Sequence, residues 1–345
     1  MKPVTLRPGI GDDRPTATLY YGQDVRDTLR TLPDASIHTV CTSPPYFGLR
    51  DYGAEGQIGL EPTPEEFVAA LVEVFREVKR VLRPDGTLWV NLGDSYAGSG
   101  KGRRADGTSA HEGRIQSANK GTTTGKLFKA DFPGCKPKDL IGIPWMVAFA
   151  LKSDGWYLRQ DIIWSKPSCM PESVADRCTK AHEYVFLFAH PDSKGQYYYD
   201  SDAVKEKAVQ ADRERNDRIG GEKYVEGVKH SDGSVFTGSS TRNKRSVWTV
   251  NANPYTGAHF ATWPPDLVRP MILAGCPAGG TVLDPFSGSA TTGMVAIQEG
   301  RNYVGIDLNP DYLPMAEARV REERPPDSTQ SEDMDDVLDL FGEDE

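Results

Sequence analysis

Thr281-Val282-Leu283-Asp284-Pro285-Phe286-Ser287-Gly288-Ser289-Ala290-Thr291-Thr292 runs as an apolar strand into a turn of small residues and then opens a helix. Small residues let a ligand approach the backbone, and a helix start offers N–H groups with no acceptor inside the helix. A second strand, Tyr303-Val304-Gly305-Ile306-Asp307, ends in an acid 23 positions after Asp284. In dinucleotide-binding folds an acid at that offset accepts hydrogen bonds from ribose hydroxyls. Neither Gly-x-Gly-x-x-Gly nor Gly-x-x-x-x-Gly-Lys-Ser/Thr occurs, so a nucleoside ligand without a phosphate chain fits better than a pyrophosphate or triphosphate. The competing reading is a tight strand–helix turn that holds no ligand.

Outward from that turn, short apolar runs alternate with amphipathic stretches along the chain. Thr18-Leu19-Tyr20-Tyr21 reads as a strand, followed by Gly22-Gln23-Asp24 and a short helix ending near Leu32. Ile37-His38-Thr39-Val40-Cys41-Thr42 is a strand stopped by Ser43-Pro44-Pro45. Residues 64–82 form an amphipathic helix with Phe67, Leu71, Val74, Phe75, Val78 and Leu82 on one face, after an N-cap and Pro opening at Thr63-Pro64. Arg83-Pro84-Asp85-Gly86 is expected to turn the chain into a strand over 87–92. A helix near 144–153, strands at 157–164 and 183–188, a helix at 264–274 and a helix at 291–299 complete the pattern. Helix, tight turn and strand in repetition predict an α/β fold on a doubly wound, mostly parallel sheet.

Two polar regions interrupt it. Residues 97–140 hold nine Lys/Arg against four Asp/Glu, and 201–258 hold ten against eight. Residues 322–345 hold eleven acids and one base, a net of −10 that equals the formal charge of the 345-residue chain, so the body sums to zero. Patch charge, not net charge, governs attraction to phosphates, and acidity overall does not exclude nucleic acid. The five cysteines are never in a Cys-x-x-Cys pair and the histidines never in His-x-x-x-His, which argues against a disulfide framework and a metal site. No apolar run is long enough for a membrane span, and the expected setting is a reducing cytoplasm.

Thr42-Ser43-Pro44-Pro45-Tyr46-Phe47 is the second chemical motif. Two prolines after a buried strand cannot continue a sheet and hold the backbone rigid at a strand's C-terminal end, where open α/β sheets place their sites. The Ser43 hydroxyl and Pro44 carbonyl are acceptors, and Tyr46 and Phe47 offer flat faces. Such a set suits a planar amine, as on an extruded base. S-adenosylmethionine is the obvious nucleoside cofactor for the first motif.

Taken together, Thr42-Ser43-Pro44-Pro45-Tyr46 early and Asp284-Pro285-Phe286-Ser287-Gly288-Ser289-Ala290-Thr291-Thr292 late resemble the N4-cytosine/N6-adenine amino-methylating DNA methyltransferases, in the order of their beta group. Leu82-Arg83-Pro84-Asp85-Gly86-Thr87-Leu88, Trp164-Ser165-Lys166-Pro167, His182-Glu183-Tyr184 and His259-Phe260-Ala261-Thr262-Trp263-Pro264-Pro265 resemble further blocks, over roughly 17–320. Ala290 departs from the family's usual glycine and narrows the cofactor turn. The resemblance implies a circularly permuted S-adenosylmethionine-dependent methyltransferase fold. Its expected parts are a flexible 1–16, a half over 17–200 carrying the base motif and the polar loop 97–135, a target-recognition insertion over 201–258, a cofactor half over 259–321 and a disordered acidic tail over 322–345.

The resemblance also assigns roles. Ser43, Pro44, Pro45 and Tyr46 would hold the target base. Asp284, Pro285, Phe286, Gly288, Ser289 and Thr291 would cradle the methionine part of the cofactor, with Thr262 and Trp263 lining that end. Asp307 would bind the ribose and Asp24 the adenine. Arg103, Arg104, Arg242, Lys244 and Arg245 are candidates for double-stranded DNA. Serine at the first motif position goes with N4-cytosine and aspartate with N6-adenine, which favours cytosine here. The expected enzyme belongs to a bacterial, archaeal or phage restriction–modification system, with a homodimer as the default. Alternatives are N6-adenine methylation, methylation of RNA or protein, and a non-catalytic DNA-binding protein.

In the tail, Leu338-Asp339-Leu340-Phe341 resembles the peptide by which replication proteins bind the sliding clamp, with Val337 where that motif has glutamine. A helix docking on the enzyme's own body is the competing expectation.

Overall fold

The computed structural model describes residues 2–8, 14–49, 56–97, 134–169, 171–172, 174–207, 218–219, 222–223, 241–252 and 263–322. In chain order the elements are β1 (Val4–Leu6), β2 (Ala17–Tyr21), α1 (Val25–Thr31), β3 (Ile37–Thr42), α2 (Pro64–Val81), β4 (Leu82–Leu92), α3 (Ile143–Ser153), β5 (Tyr157–Ser165) and β6 (His182–Ala189). They continue as β7 (Glu206–Lys207), β8 (Arg218–Ile219), β9 (Glu222–Lys223), β10 (Thr241–Arg242), β11 (Val247–Thr249), α4 (Pro265–Gly275), β12 (Thr281–Asp284), α5 (Thr291–Gln298), β13 (Asn302–Asp307) and α6 (Leu313–Arg319).

One nine-stranded sheet has the order β1-β2-β13-β12-β3-β4-β6-β5-β11. β2, β13, β12, β3 and β4 run parallel, and β6 is antiparallel to both its neighbours. β5 therefore points the same way as β4, and β11 runs parallel beside it. The C-terminal ends of β12, β3, β4 and β5 thus share one edge with the start of β6. β7 pairs with β10, and β8 with β9, in two small ladders.

Side chains alternate between two cores. Val40, Leu88, Val90, Phe186 and Phe188 pack on the face covered by α1, α2 and α3. Cys41, Trp89, Val185 and Leu187 pack on the face covered by α4, α5 and α6. Burial on both faces is what apolar central strands require. Helix α2 opens with a reciprocal cap, Thr63 Oγ1 accepting from Glu66 N and a Glu66 carboxylate oxygen from Thr63 N, both at 3.2 Å. Its Phe67, Leu71, Val74, Phe75 and Val78 are fully buried, each worth about 1.5–3 kcal/mol over exposure. α3 is capped from a distance: Asp94, just past β4, accepts from Gly142 N at 3.0 Å and Ile143 N at 3.1 Å. That bond ties the loop after β4 to the helix start, because Gly142 has no side chain to do it.

Three expectations need correction. Val4–Leu6 within the expected flexible start pairs antiparallel with β2, since three residues are too few for periodicity to reveal. Arg83 to Gly86 is not a separate turn but an irregularity inside β4, whose pairing jumps from Ile37–Leu82 to Thr39–Thr87. Gly86 fits there because a Cβ would come within 2.6 Å of the Leu82 side chain and 2.9 Å of the His38 carbonyl. Val247–Thr249, assigned to the insertion, is an edge strand of the main sheet, with Trp248 buried below it. The loop over 98–133, most of 208–240 and the tail over 323–345, including 337–341, lie outside the described residues.

Candidate active site

Strand β12 leads into α5 on one face and β3 toward α2 on the other, so the winding reverses between these adjacent strands. A crevice opens outside the strand ends at such a reversal. Both chemical motifs lie there. Thr42, the last residue of β3, donates to Asp284, the last residue of β12, at 2.7 Å.

Asp284 is 1% exposed and is filled by its own chain. Its Oδ1 accepts from Thr42 Oγ1 and from Phe286 N at 3.1 Å, and its Oδ2 accepts from Thr292 Oγ1 at 2.7 Å. Burial pushes its carboxyl up to about 6 against these donors, and the nearby Asp307 charge adds to the rise. Asp284 therefore shapes the turn. The turn is braced from below by two tyrosines that the sequence reading missed. Tyr21 Oη donates to the Gly288 carbonyl at 2.8 Å, and Tyr21 and Tyr303 each bond Ser287 Oγ, at 2.8 and 2.7 Å. The Tyr303 ring fits because positions 293 and 305 are glycine; a Cβ would come within 2.4 and 2.7 Å of it.

Ser289 and Thr291 are also turned inward. Arg319 of α6, itself buried, donates to both hydroxyls at 3.1 Å. Pro285 is buried and Phe286 half-buried against the α2 side of the core. Ala290, whose methyl was expected to narrow the turn, lies in the left-handed region at φ 59° and is buried. That conformation explains the fit of glycine there, since a side chain adds about 1–2 kcal/mol of strain.

Asp307 ends β13 beside the turn. Its Oδ2 accepts from Gly288 N at 2.8 Å and its Oδ1 from Asn309 N at 2.8 Å, and burial pushes it up to about 6. A Cβ built on Gly288 would meet nothing within 4 Å, so the turn faces open space at this acid. An acid, an open glycine and small residues at a strand end fit the ribose and sulfonium portion of S-adenosylmethionine. Asp24 caps α1 just beyond β2, next to Gln23, whose N–H donates to the Asp307 backbone carbonyl at 3.3 Å. The Asp24 carboxylate makes the cap through Arg26 N at 2.8 Å and pairs with the Arg26 guanidinium.

The base motif sits on the same edge. Tyr46 Oη donates to Glu183 Oε2 at 2.6 Å, and Asn91 Nδ2 donates to Tyr46 Oη at 2.7 Å. Asn91 Nδ2 also lies 2.9 Å from Glu183 Oε2 and 3.3 Å from Ser43 Oγ. Lys166 pairs with Glu183 and stands 4.0 Å from the centre of the Trp164 ring. The Tyr46 ring lies against Gly93, where a Cβ would come within 2.5 Å of it. Ser43, Pro45 and Tyr46 are half-buried and Pro44 is buried. Phe47, expected to offer a stacking face, is a core residue against Phe67, with centroids 5.5 Å apart. Lys166 and Glu183 belong to blocks quoted from the sequence without a role; nothing local in Asn91 marked it.

The remaining candidates divide. Trp263 is half-buried just before α4, packed on the core below α5, while Thr262, Arg103 and Arg104 lie outside the described residues. Arg242 and Arg245 both donate to Glu206, at 2.8 and 2.6 Å, and the Lys244 ammonium stands 5.0 Å from the Trp248 ring centre. Lys244 lines a cleft with Arg159, Tyr197 and Tyr199, beside the start of β5 rather than the end that carries the base motif.

The geometry finds counterparts among known proteins. The profile of the DNA methylase family matches residues 37–318. A Type II methyltransferase of Citrobacter freundii, M.Cfr9I, is 47% identical over 308 residues, 89% of this chain and 88% of its own. The PvuII DNA methyltransferase, described as cytosine-N4-specific, superposes with a TM-score of 0.57 at 18% identity, over 97% of this chain and 93% of that one. A DNA modification methylase of Thermus thermophilus, solved with S-adenosyl-L-methionine, gives 0.52 at 24% identity, over 88% and 94%. At these identities the two structures speak for the fold. Among the described residues no helix is long and apolar enough to cross a membrane.

Proposed function

Since the chain belongs to the DNA methylase family, a site-specific methyltransferase acting on DNA amines with S-adenosylmethionine, we propose that its target is cytosine and its product N4-methylcytosine. The observation that carries this reading is Ser43 at the end of β3, an uncharged hydroxyl at the position where the adenine enzymes resembled here carry aspartate. The cytosine-N4 specificity stated for the PvuII enzyme, a fold neighbour, agrees with it.

The exocyclic nitrogen is a poor nucleophile because its lone pair is delocalised into the ring. Ser43 Oγ and the Pro44 carbonyl accept its hydrogens and favour a pyramidal nitrogen. Held by Asp307 and the Asp284–Ser289 turn, S-adenosylmethionine would supply an electrophilic methyl group on a sulfonium, which the amine takes in exchange for a proton released to solvent. Positioning and charge relief carry this step more than a strong base does. Tyr46 offers the face on which the extruded base stacks, offsetting part of the few kcal/mol that extrusion costs. On the cofactor side Asp307 accepts from the ribose hydroxyls, and the Asp284–Ser289 turn holds the methionine end mainly by its backbone, since the Asp284 and Ser289 side chains are engaged within the protein.

Mass spectrometry of nucleosides from DNA incubated with the enzyme and labelled cofactor tests the reading. N4-methylcytosine is expected. Methyladenine alone would replace it with the N6-adenine reading.

A further inference from the structure

Tyr46, Asn91 and Glu183 close a triangle of hydrogen bonds, 2.6, 2.7 and 2.9 Å on its sides. The three residues come from the segment after β3, from β4 and from β6. The Asn91 amide nitrogen has two hydrogens but three acceptors in reach, with Ser43 Oγ the most distant at 3.3 Å. Tyr46 Oη and Glu183 Oε2 lie 2.6 Å apart, too close for each to take its own hydrogen from Asn91, so they share one; the other is left for Ser43 Oγ, which keeps a second lone pair for another donor. A carboxylate suits the apex of this triangle, because it accepts only and takes both Tyr46 and Asn91 on one oxygen. Its other oxygen takes Lys166, which balances the charge.

The arrangement is more than sheet glue. β5 and β6 already pair over their whole length, Trp164 opposite Glu183 and Ser165 opposite His182 among them. A half-buried ion pair adds little to such a ladder after its desolvation cost. Gly93 gives the Tyr46 ring a floor, and the bonds of its hydroxyl to Glu183 and Asn91 hold the ring's angle on that floor.

We infer that Glu183 is the positioning residue of the base pocket: through Tyr46 it fixes the plane on which the target base stacks, and through Asn91 it orients the amide that meets Ser43 Oγ, the acceptor of the target amine. This rests on the reading of Ser43 and Tyr46 as base-binding residues.

The test compares wild type, Glu183→Gln, Tyr46→Phe and the double variant in single-turnover methylation of duplex DNA carrying the site mapped from the wild-type product. Glu183→Gln keeps the shape of the side chain and gives up its charge. At saturating DNA it is expected to slow transfer about tenfold or more while calorimetric cofactor affinity stays within about twofold. The double variant is expected within about threefold of the slower single one, since one variant weakens and the other deletes the same bond. With 2-aminopurine at the target position, Glu183→Gln should shift emission toward that of Tyr46→Ala, the signature of a lost stacking plane. Wild-type transfer by Glu183→Gln, multiplying effects in the double variant, or wild-type emission would each overturn the inference. If Glu183→Gln fails to bind cofactor, Tyr46→Phe decides: slowed transfer with intact cofactor affinity supports the inference, and wild-type transfer overturns it. No transfer to DNA by the wild-type enzyme would overturn the base-pocket reading itself, and this inference with it.

Discussion

Thr42 Oγ1 donates to Asp284 Oδ1 at 2.7 Å across a gap of 242 residues, joining the strand that carries the base motif to the strand that carries the cofactor turn. Both residues are buried, so the bond has no water to replace it. Thr42→Val keeps the shape and deletes the donor. It is expected to lower unfolding free energy in urea by about 1–3 kcal/mol, the cost of a buried charged acceptor that has lost a partner. Unchanged stability would mean that Asp284 is held by Phe286 and Thr292 alone.

Asp307→Ala is expected to weaken S-adenosylmethionine binding by about 1.5–3 kcal/mol, because the ribose hydroxyls lose a charged acceptor. Calorimetry reads this directly, and an unaltered affinity removes Asp307 from the ribose site.

Binding should also depend on pH. Asp307 is pushed up to about 6 by burial, so its proton is bound more tightly in the folded chain than in the unfolded one. Its contribution to stability is therefore present at low pH and lost as pH rises through 6. The ionised form is the better acceptor, so cofactor affinity runs the other way and falls as pH drops from 7.5 to 5.0. Asp307→Asn should bind weakly and with a shallower profile over that range, the remaining slope belonging to Asp284, which burial also pushes up to about 6. A flat wild-type profile would contradict the assignment.

Ser43→Ala and Tyr46→Ala are each expected to reduce methyl transfer to DNA while cofactor affinity stays near wild type, because both act on the base. Single-turnover rates on duplex DNA alongside calorimetry separate the two effects. A variant that keeps wild-type turnover loses its proposed role.

Arg319→Met keeps the length of the side chain and removes the donors to Ser289 and Thr291. The cofactor turn should loosen, raising KM for S-adenosylmethionine more than it lowers kcat, in steady-state assays with the cofactor varied. Equal loss in both would point to a general weakening of the fold.

The amino-acid sequence by itself determined the alternation of strands and helices, the places of the two motifs and the class of chemistry. Those signals are local: the periodic face of α2, the cap at Thr63, the acid ending β13, the prolines that stop β3. Each is written within a few residues, where backbone preference and burial act directly. Only the tertiary structure decided which side chains meet at the site. Thr42 reaches Asp284, Tyr21 reaches Ser287, Arg319 reaches Ser289 and Glu183 reaches Tyr46 because of the order in which strands lie side by side. It also turned Phe47 into the core and engaged Arg242 and Arg245 with Glu206. Strand order is set by how the two faces of the sheet bury their apolar surface as a whole, a property of the packed molecule that no short stretch of sequence carries.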